Sequence, residues 1–398
     1  MTMSFNPKIF IDKQTAEIRR VLAEEKTIVA CSGGVDSTTC AVLTHRAIGD
    51  NLVCVFIDTS FMRLGEPEEV LKMLSSPPLN LPMKLVDAKD RFLNALTGLK
   101  DAEEKRKSFR ETFYQVLSGA AKHEECEFLV QGTIAADVIE TEGDIKTQHN
   151  VLEQIGINPV KKYGYNVIEP IATLVKPQVR QVAKKLGIPS AISDRQPFPG
   201  PGLAVRLVGV VTPLKLATEK KATKVVEEVL DNVAVQYFAA VIENESKKDP
   251  VTDDIKTESA KFFDADEDWV EVKTLKSRAT GIRDNKREYG KVVTLNIKTE
   301  SGELLKPSLR RLFKLQEKIL DKYHRITRLL FNLNKERDGA LLVAIRAVKT
   351  HDFLTAKPAI INWIRLGKAS DEILKECPEV ASVYYDVTPK PPSTIEFE

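Results

Sequence analysis

The strongest chemical signal in this sequence is a Gly-rich hexapeptide, SGGVDS, at Ser32–Ser37. Two adjacent glycines let the backbone turn several N–H groups toward one point, and the hydroxyl side chains add further donors. Asp36 supplies a carboxylate of the kind that binds Mg²⁺ beside phosphate oxygens. The spacing matches neither the Walker phosphate loop nor the dinucleotide fingerprint. It predicts an anion-binding loop of another class, or a tight turn whose Ser and Asp cap a helix.

The elements around the hexapeptide predict that it lies at the edge of a sheet. Thr27–Cys31 reads as a buried strand, and a helix is expected from about Thr38 to Ile48. Further strands are expected at Leu52–Ile57, Met83–Ala88, Glu127–Gln131 and Asn166–Pro170. Further helices are expected at Ala102–Glu124 and Lys176–Leu186, so strands and helices alternate along the chain. This alternation predicts a doubly wound α/β domain with a parallel sheet. Nucleotides bind at the carboxyl edge of such sheets, where the hexapeptide falls.

A change of composition predicts a second domain. QPFPGPG at Gln196–Gly202 cannot form a helix or a central strand, so it is interpreted as a hinge or shared wall after the α/β domain at 1–195. Beyond it, separate strands and helices predict an α+β domain. The segment 243–268 is highly charged and is expected to be an exposed excursion or linker.

The second domain is expected to be duplicated. Lys291–Thr299 is similar to Leu342–Thr350, and Arg325–Leu333 is similar to Glu379–Val387. A helical stretch lies between 291–299 and 325–333, and another lies between 342–350 and 379–387. The interpretation is therefore two strand–helix–strand copies, at 196–333 and 334–398. Chance similarity between β-rich runs is the alternative.

Composition excludes several classes of protein. The chain has 398 residues, 42% of them apolar, and no uninterrupted apolar run long enough for a membrane span. Lys plus Arg number 59 and Asp plus Glu 57, which gives no basic excess for binding nucleic acid. The five scattered cysteines predict reduced thiols in a cytoplasmic protein rather than disulfides or a zinc site.

The hexapeptide resembles the pyrophosphate loop of the N-type ATP pyrophosphatases, and other segments resemble the GMP synthetase family within that group. These segments are QGTIAADVIE (131–140), IKTQHN (145–150), VIEPIATLVKPQVR (167–180), RQPFPGPGLAVR (195–206) and KPPSTIEFE (390–398). The resemblance covers nearly the whole chain beyond its first two dozen residues. It implies an adenine nucleotide alpha hydrolase-like domain, followed by a dimerisation-type domain.

The resemblance also implies a reaction. The O2 atom of XMP would attack the α-phosphorus of ATP, releasing pyrophosphate and giving adenyl-XMP, and ammonia would then displace AMP to leave GMP. ATP and Mg²⁺ are the implied cofactors. No context for a glutaminase nucleophile occurs in this sequence, so a separate glutaminase subunit is expected to supply the ammonia.

Site residues follow from the matching motifs. Asp36 and Lys176 are implied as catalytic, with Asp36 also the metal ligand. The implied ATP-binding residues are Ser32, Gly33, Gly34, Val35, Asp36, Ser37, Thr38, Gln131 and Gly132. The implied XMP-binding residues are Arg106, Lys390, Ile395 and Glu396.

Several of these residues keep a second interpretation. Lys176 and Arg106 could be solvated helix charges, and Asp137 could cap a helix or assist the metal. The family usually has His at Gln196 and Trp at Phe397, which leaves fine substrate contacts open. The loop before the substrate-side strand, at 283–289, also resembles the family.

Alternatives to the GMP synthetase interpretation are the same ATP chemistry with another acceptor, such as a tRNA base, and a nucleotide sensor that has lost catalysis. A monomer or a weak homodimer is expected, because a duplicated domain could occupy the partner's place within one chain.

Overall fold

A computed structural model describes residues 5–135, 137, 158–193, 195–284, 286–350 and 354–398 of the protein. The chain forms two compact units. The first comprises 1–95 and 107–200, and the second comprises 96–106 and 201–398. The break thus falls inside the predicted hinge, while a short segment near residue 100 groups with the second unit. Gly98 and Leu99 exchange backbone hydrogen bonds with Val211 there.

The first unit contains a five-stranded, fully parallel sheet in the order β3-β2-β1-β4-β5. Its described elements are α1 (Pro7–Leu22), β1 (Thr27–Ala30), α2 (Val35–Ile48), β2 (Leu52–Asp58), α3 (Glu66–Ser75), β3 (Met83–Asp87), α4 (Lys89–Leu96), α5 (Ala102–His123), β4 (Phe128–Val130), α6 (Pro159–Tyr163), β5 (Asn166–Ile168), α7 (Lys176–Leu186) and α8 (Ser190–Ser193). The predicted doubly wound fold class is confirmed. α5 starts in the second unit and continues in the first.

One predicted boundary in this unit is wrong. α2 begins at Val35 rather than Thr38, so Asp36 and Ser37 lie in the first turn of the helix. The reason is that Gly34 can serve as the N-cap residue without a side chain, and Asp is favourable near the positive end of a helix.

The second unit is built on a nine-stranded mixed sheet in the described part of the chain. Its elements are β6 (Leu207–Val208), α9 (Pro213–Val229), β7 (Gln236–Glu243), β8 (Ser246–Lys247), α10 (Val251–Phe263), β9 (Val270–Arg283), β10 (Lys286–Ile297), α11 (Leu309–Lys322), β11 (Ile326–Asn332), β12 (Leu341–Lys349), β13 (Lys357–Pro358), α12 (Trp363–Glu376) and β14 (Val380–Asp386). The strand order is β6-β7-β12-β14-β11-β10-β9-β8, with β13 on β12.

Two β-α-β units meet at the centre of this sheet. β10 pairs with β11 in parallel and β12 pairs with β14 in parallel, each with a register shift at the matching place. β11 and β14 pair antiparallel, with Phe331 opposite Tyr385. The pairs on either side, Leu330–Asp386 and Asn332–Tyr384, are related by a local twofold axis.

The structural register corrects the alignment of the first strands by one residue. Lys291 pairs with Ile326 at the position where Leu341 pairs with Val380, so Lys291 corresponds to Leu341, not Leu342. β12 is buried on both faces, and such a nearly continuous apolar run does not fix its own register. β7, which precedes the first β-α-β unit, pairs with β12 of the second. The expected division between 333 and 334 therefore assigns two neighbouring strands of one sheet to different copies.

The charged segment 243–268 is not the exposed excursion that its composition indicated. It contains α10, which contacts β9 and buries Ile255, Ala260 and Phe263. These residues lie on one side of an amphipathic helix, and its charged remainder dominated the composition. Among the helices of the described residues, none has the length and apolar character needed to cross a membrane.

Candidate active site

The hexapeptide lies where the strand order of the parallel sheet reverses. β1 is central, with β2 on one side and β4 on the other. Ser32–Ser37 follows β1 and leads into α2, and Gln131 and Gly132 follow β4. Ligands of open α/β sheets bind at this switch point, outside the carboxyl ends of the strands. The fold therefore brings the two predicted ATP-binding segments to one edge.

The loop is held in shape by its own polar groups. The Ser32 N–H donates to Ser37 Oγ at 3.2 Å, and the Ser37 hydroxyl donates to the Gly34 carbonyl at 3.2 Å. Gly33 has φ of +75°, and a Cβ atom there would lie 2.7 Å from a methyl group of Val70. Gly34 gives α2 no side-chain cap. The first N–H groups of the helix can therefore face an anion.

Gly132 approaches the same helix end through its backbone. A Cβ atom on Gly132 would lie 3.0 Å from the Ser37 nitrogen and 3.1 Å from the Asp36 carbonyl carbon. Because backbone atoms of a first helical turn cannot move aside freely, only glycine fits at this position without displacing the loop.

We therefore expect Gly132→Ala to raise the KM for ATP by about tenfold, which corresponds to roughly 1.4 kcal/mol of lost binding. Gly119→Ala is the matched control, because Gly119 lies in α5 and a Cβ atom there would contact nothing. Steady-state kinetics with varied ATP measures both variants. Equal KM values for the two would show that the Gly132 approach does not shape the nucleotide site.

Asp36 and Lys176 form an ion pair across the switch point. Lys176 Nζ lies 2.5 Å from Asp36 Oδ2, so the first turns of α2 and α7 are joined. Burial raises the pKa of Asp36 from its ordinary value, and the Lys176 ammonium opposes that shift. The lysine is therefore not merely a solvated charge.

Three buried polar atoms around the loop have no hydrogen-bond partner among the described residues. They are Asp36 Oδ1, Thr38 Oγ1 and Gln131 Oε1. Buried polar groups are normally paired, and unpaired ones indicate a missing ligand or water. The described residues contain no group of three acidic, His or Cys side chains that could hold a metal. A single carboxylate fits Mg²⁺, which is commonly held by one or two carboxylates together with substrate phosphates.

Two residues that sequence reasoning did not single out support the β4 end. Gln131 Nε2 donates to Tyr114 Oη at 3.2 Å, and Thr133 Oγ1 donates to Glu169 at 2.5 Å. Both partners are distant in sequence and carry no local pattern. Asp137 accepts the Ile134 N–H at 3.0 Å, which is a capping contact. The predicted segment 145–150, and positions 136 and 138–140 of the preceding motif, lie outside the described residues.

In the second unit, Arg106 belongs to a cluster at the start of α5. Its Nη1 lies 2.5 Å from Glu103 Oε1, and Arg287 donates to the same oxygen. Tyr289 Oη lies 3.4 Å from it. Arg106 is only 8% exposed, so it is not a solvated helix charge. Burial lowers its pKa, and the neighbouring Arg287 lowers it further.

The tail segment, defined as Lys390–Glu398, is fixed rather than free. Lys390 exchanges two backbone hydrogen bonds with Ala356. Ile395 packs against the apolar core of the second unit. The Glu396 carboxylate accepts from Arg206 Nε at 2.9 Å and from Arg206 Nη2 at 3.2 Å. The tail segment therefore presents its side chains from a defined backbone.

The predicted site residues of the first unit lie together, and those of the second unit lie in two places. The first unit brings together the hexapeptide, Thr38, Lys176, Gln131 and Gly132. The second unit holds Arg106 in the α5 cluster and Lys390, Ile395 and Glu396 in the tail segment.

Known proteins resemble this chain over its full length. Residues 332–397 match the family model described as GMP synthase C terminal domain. A subunit of the glutamine-hydrolyzing GMP synthase from Sulfurisphaera tokodaii is 40% identical, covering 100% of both chains. Subunits of the same name from Saccharolobus solfataricus and Methanopyrus kandleri are 42% and 39% identical, each covering 99% of this chain and 100% of the relative.

Because the sequence identity of about 40% extends over the entire length of this chain and of each relative, it includes both units, the hexapeptide and the tail segment. The parallel sheet with its loop at the switch point is the architecture that the sequence resemblance implied. On these grounds the chain belongs to the same family as these GMP synthase subunits.

Proposed function

We propose that this chain catalyses the ATP-dependent amination of XMP to GMP, with ammonia from a separate glutaminase subunit. The observation that carries the proposal is the Asp36–Lys176 pair at the N-terminal turns of two helices beside a preformed Gly-rich loop. Full-length similarity to GMP synthase subunits supports the choice of acceptor over a tRNA base.

The proposed chemistry has two steps. Xanthine O2 attacks the α-phosphorus of ATP, the bond to the bridging oxygen breaks, and pyrophosphate leaves with that electron pair. Ammonia then adds at C2 of the adenylated purine, and AMP leaves with the C–O bond electrons while a proton is lost. Because negative charge accumulates on pyrophosphate, donors fixed in advance around it lower the barrier of the first step.

The chain's own residues have distinct parts in that step. The loop N–H groups and the hydroxyls of Ser32, Ser37 and Thr38 bind the β- and γ-phosphates, and Lys176 places a cation beside them. Asp36 would hold Mg²⁺, which neutralises phosphate charge when bound. Gln131 and Gly132 border the same phosphates from the end of β4.

XMP is assigned to residues of the second unit. Arg106 and Lys390 are cations suited to a nucleotide phosphate, and Arg106 can bind it with two parallel hydrogen bonds. Ile395 contributes an apolar surface for the purine, and Glu396 a carboxylate that can accept from purine N–H groups. Arg206, which donates two hydrogen bonds to that carboxylate, would then orient it.

The direct test supplies the purified chain with Mg-ATP and XMP, and with either ammonium or glutamine. GMP and pyrophosphate are expected with ammonium, and no GMP with glutamine. Pyrophosphate without GMP would mean that adenylation proceeds and that ammonia delivery needs the glutaminase. The absence of any XMP-dependent pyrophosphate would reject the proposal and direct attention to other acceptors.

A monomer is the proposed state, because two related β-α-β units already pair through β11 and β14 inside one chain. In a chain with only one such unit, a second copy of the chain would have to supply the pairing partner. Sedimentation velocity at micromolar concentration should give about the 44.5 kDa mass of one chain. A tight dimer persisting at nanomolar concentration would contradict this.

All five cysteines are buried free thiols, in keeping with a reducing, cytoplasmic setting.

A further inference from the structure

A fully buried lysine lies directly beside the proposed XMP residue Arg106. Lys105, in the first turn of α5, is 0% exposed. Its ammonium donates to the Leu207 carbonyl at 2.7 Å and to the Glu398 carboxylate. A lysine is almost never fully buried unless it is paired, so this position is built around the contact.

Glu398 is held from three sides. Besides Lys105, its second carboxylate oxygen accepts the Gly209 N–H at 2.8 Å, and its backbone N–H donates to the Val205 carbonyl at 3.0 Å. Two residues earlier, Glu396 meets Arg206 of the same 205–209 segment. The end of the tail segment is therefore pinned to α5 through Lys105 and to the segment that follows the hinge.

Stability alone does not account for the Lys105–Glu398 pair. Burial lowers the pKa of Lys105 and raises the pKa of Glu398, so each charge is penalised where it lies. A buried ion pair often adds no more to the stability of the fold than apolar side chains of similar size would. Its better-attested role is to hold the groups around it in one specific arrangement. The arrangement fixed here joins the helix turn of Arg106 to the segment of Glu396.

We infer that Lys105 is a positioning residue: by holding Glu398, it sets Arg106 and Glu396 at the separation that one XMP molecule requires. The inference rests on the proposed function, in which these two residues contact XMP. Lys105 itself is too buried to touch substrate, so it acts only through its neighbours.

The test is the double variant Lys105→Met/Glu398→Gln, which removes both charges and leaves no unpaired ion. Because a misplacement of about 1 Å can cost on the order of 100-fold, we expect kcat/KM for XMP to fall roughly 10- to 100-fold. The loss should lie mainly in KM for XMP, with KM for ATP within about twofold of wild type. If Lys105 had a purely structural role, the double variant would change the KM values for both XMP and ATP, or neither of them.

The matched control is Lys291→Met/Asp249→Asn. Lys291 Nζ and Asp249 Oδ2 are 2.6 Å apart, and the pair joins β10 to the turn before α10. Its kinetic constants should stay near wild type. An equal loss in the control, or an unchanged KM for XMP in the Lys105 variant, would overturn the inference.

Two further results separate the possible failures. If the double variant does not fold, Glu398→Gln alone decides, because it keeps the acceptor for Gly209 but weakens the hold on Lys105. Its KM for XMP must still rise selectively, and an unchanged value overturns the inference. If the wild-type chain makes no GMP from XMP and ammonium, the proposed function fails and the inference fails with it. If it makes GMP normally, only the variants bear on Lys105.

Discussion

Asp36→Asn should lower XMP-dependent pyrophosphate release by on the order of 100- to 1,000-fold, the range seen when one fixed electrostatic contact to a developing charge is removed. The Asp36 carboxylate lies in the first turn of α2, holds Lys176 at 2.5 Å and leaves a buried oxygen without a partner among the described residues. Asn keeps the shape but loses the charge that would bind Mg²⁺ and orient the lysine. The measurement is the initial rate of pyrophosphate formation with Mg-ATP and XMP.

Folding should survive this substitution. The folded-state pKa of Asp36 lies above its ordinary value, so at neutral pH the ionised form opposes folding, and removing the charge does not weaken the fold. Lys176 is 42% exposed and can be solvated when its partner is lost. Asp137→Asn is the control, since Asn can still accept the Ile134 N–H. Wild-type pyrophosphate release in Asp36→Asn would show that the metal assignment is wrong.

Local patterns in the sequence predicted the first unit well, because its strands are short apolar runs and its helices carry clear stop signals such as Gly187. The parallel sheet and the placement of the hexapeptide followed from them. The start of α2 was misplaced because Gly34 carries no side chain to mark an N-cap. Tyr114 and Glu169 were missed because their contacts with Gln131 and Thr133 depend on tertiary packing alone.

The second unit was harder to predict for physical reasons. Lys105 is one cation in the run EEKRK, and no local pattern distinguishes a buried member of such a run from its solvated neighbours. The one-residue error in aligning β10 with β12 has a similar origin, since a strand buried on both faces looks alike in either register. The burial of Phe397 and Glu398 follows from long-range contacts that only the folded chain displays.

The long-range contacts that hold the tail segment centre on a buried carboxylate. Asp386, at the end of β14, lies 2.9 Å from Arg328 and 3.1 Å from Arg346, and all three side chains are 0% exposed. Arg328 donates to Thr394 at 3.0 Å, and Arg346 donates to Ser393 at 2.8 Å. Burial lowers the pKa of Arg328 to about 9, with Arg346 adding to the shift. One carboxylate therefore balances two buried guanidinium groups.

Asp386→Ala should destabilise the second unit by about 3–5 kcal/mol, the cost of leaving buried charges without their partner. Asn332→Ala is the matched control, because Asn332 takes the corresponding place on β11 across the local twofold axis. Each side chain accepts an N–H two residues ahead, Asp386 from Thr388 at 2.9 Å and Asn332 from Asn334 at 3.2 Å. The control loses that hydrogen bond but no ion pair, so about 1 kcal/mol is expected.

Urea unfolding followed by tryptophan fluorescence measures both variants, because Trp269 and Trp363 are the chain's two tryptophans and both lie in the second unit. A far lower midpoint for Asp386→Ala than for Asn332→Ala would assign the difference to the two arginines. Equal midpoints would mean that the arginines lose their charge or find water once Asp386 is gone. The tail segment would then owe its place to apolar contacts such as Phe397, rather than to the charged cluster beneath it.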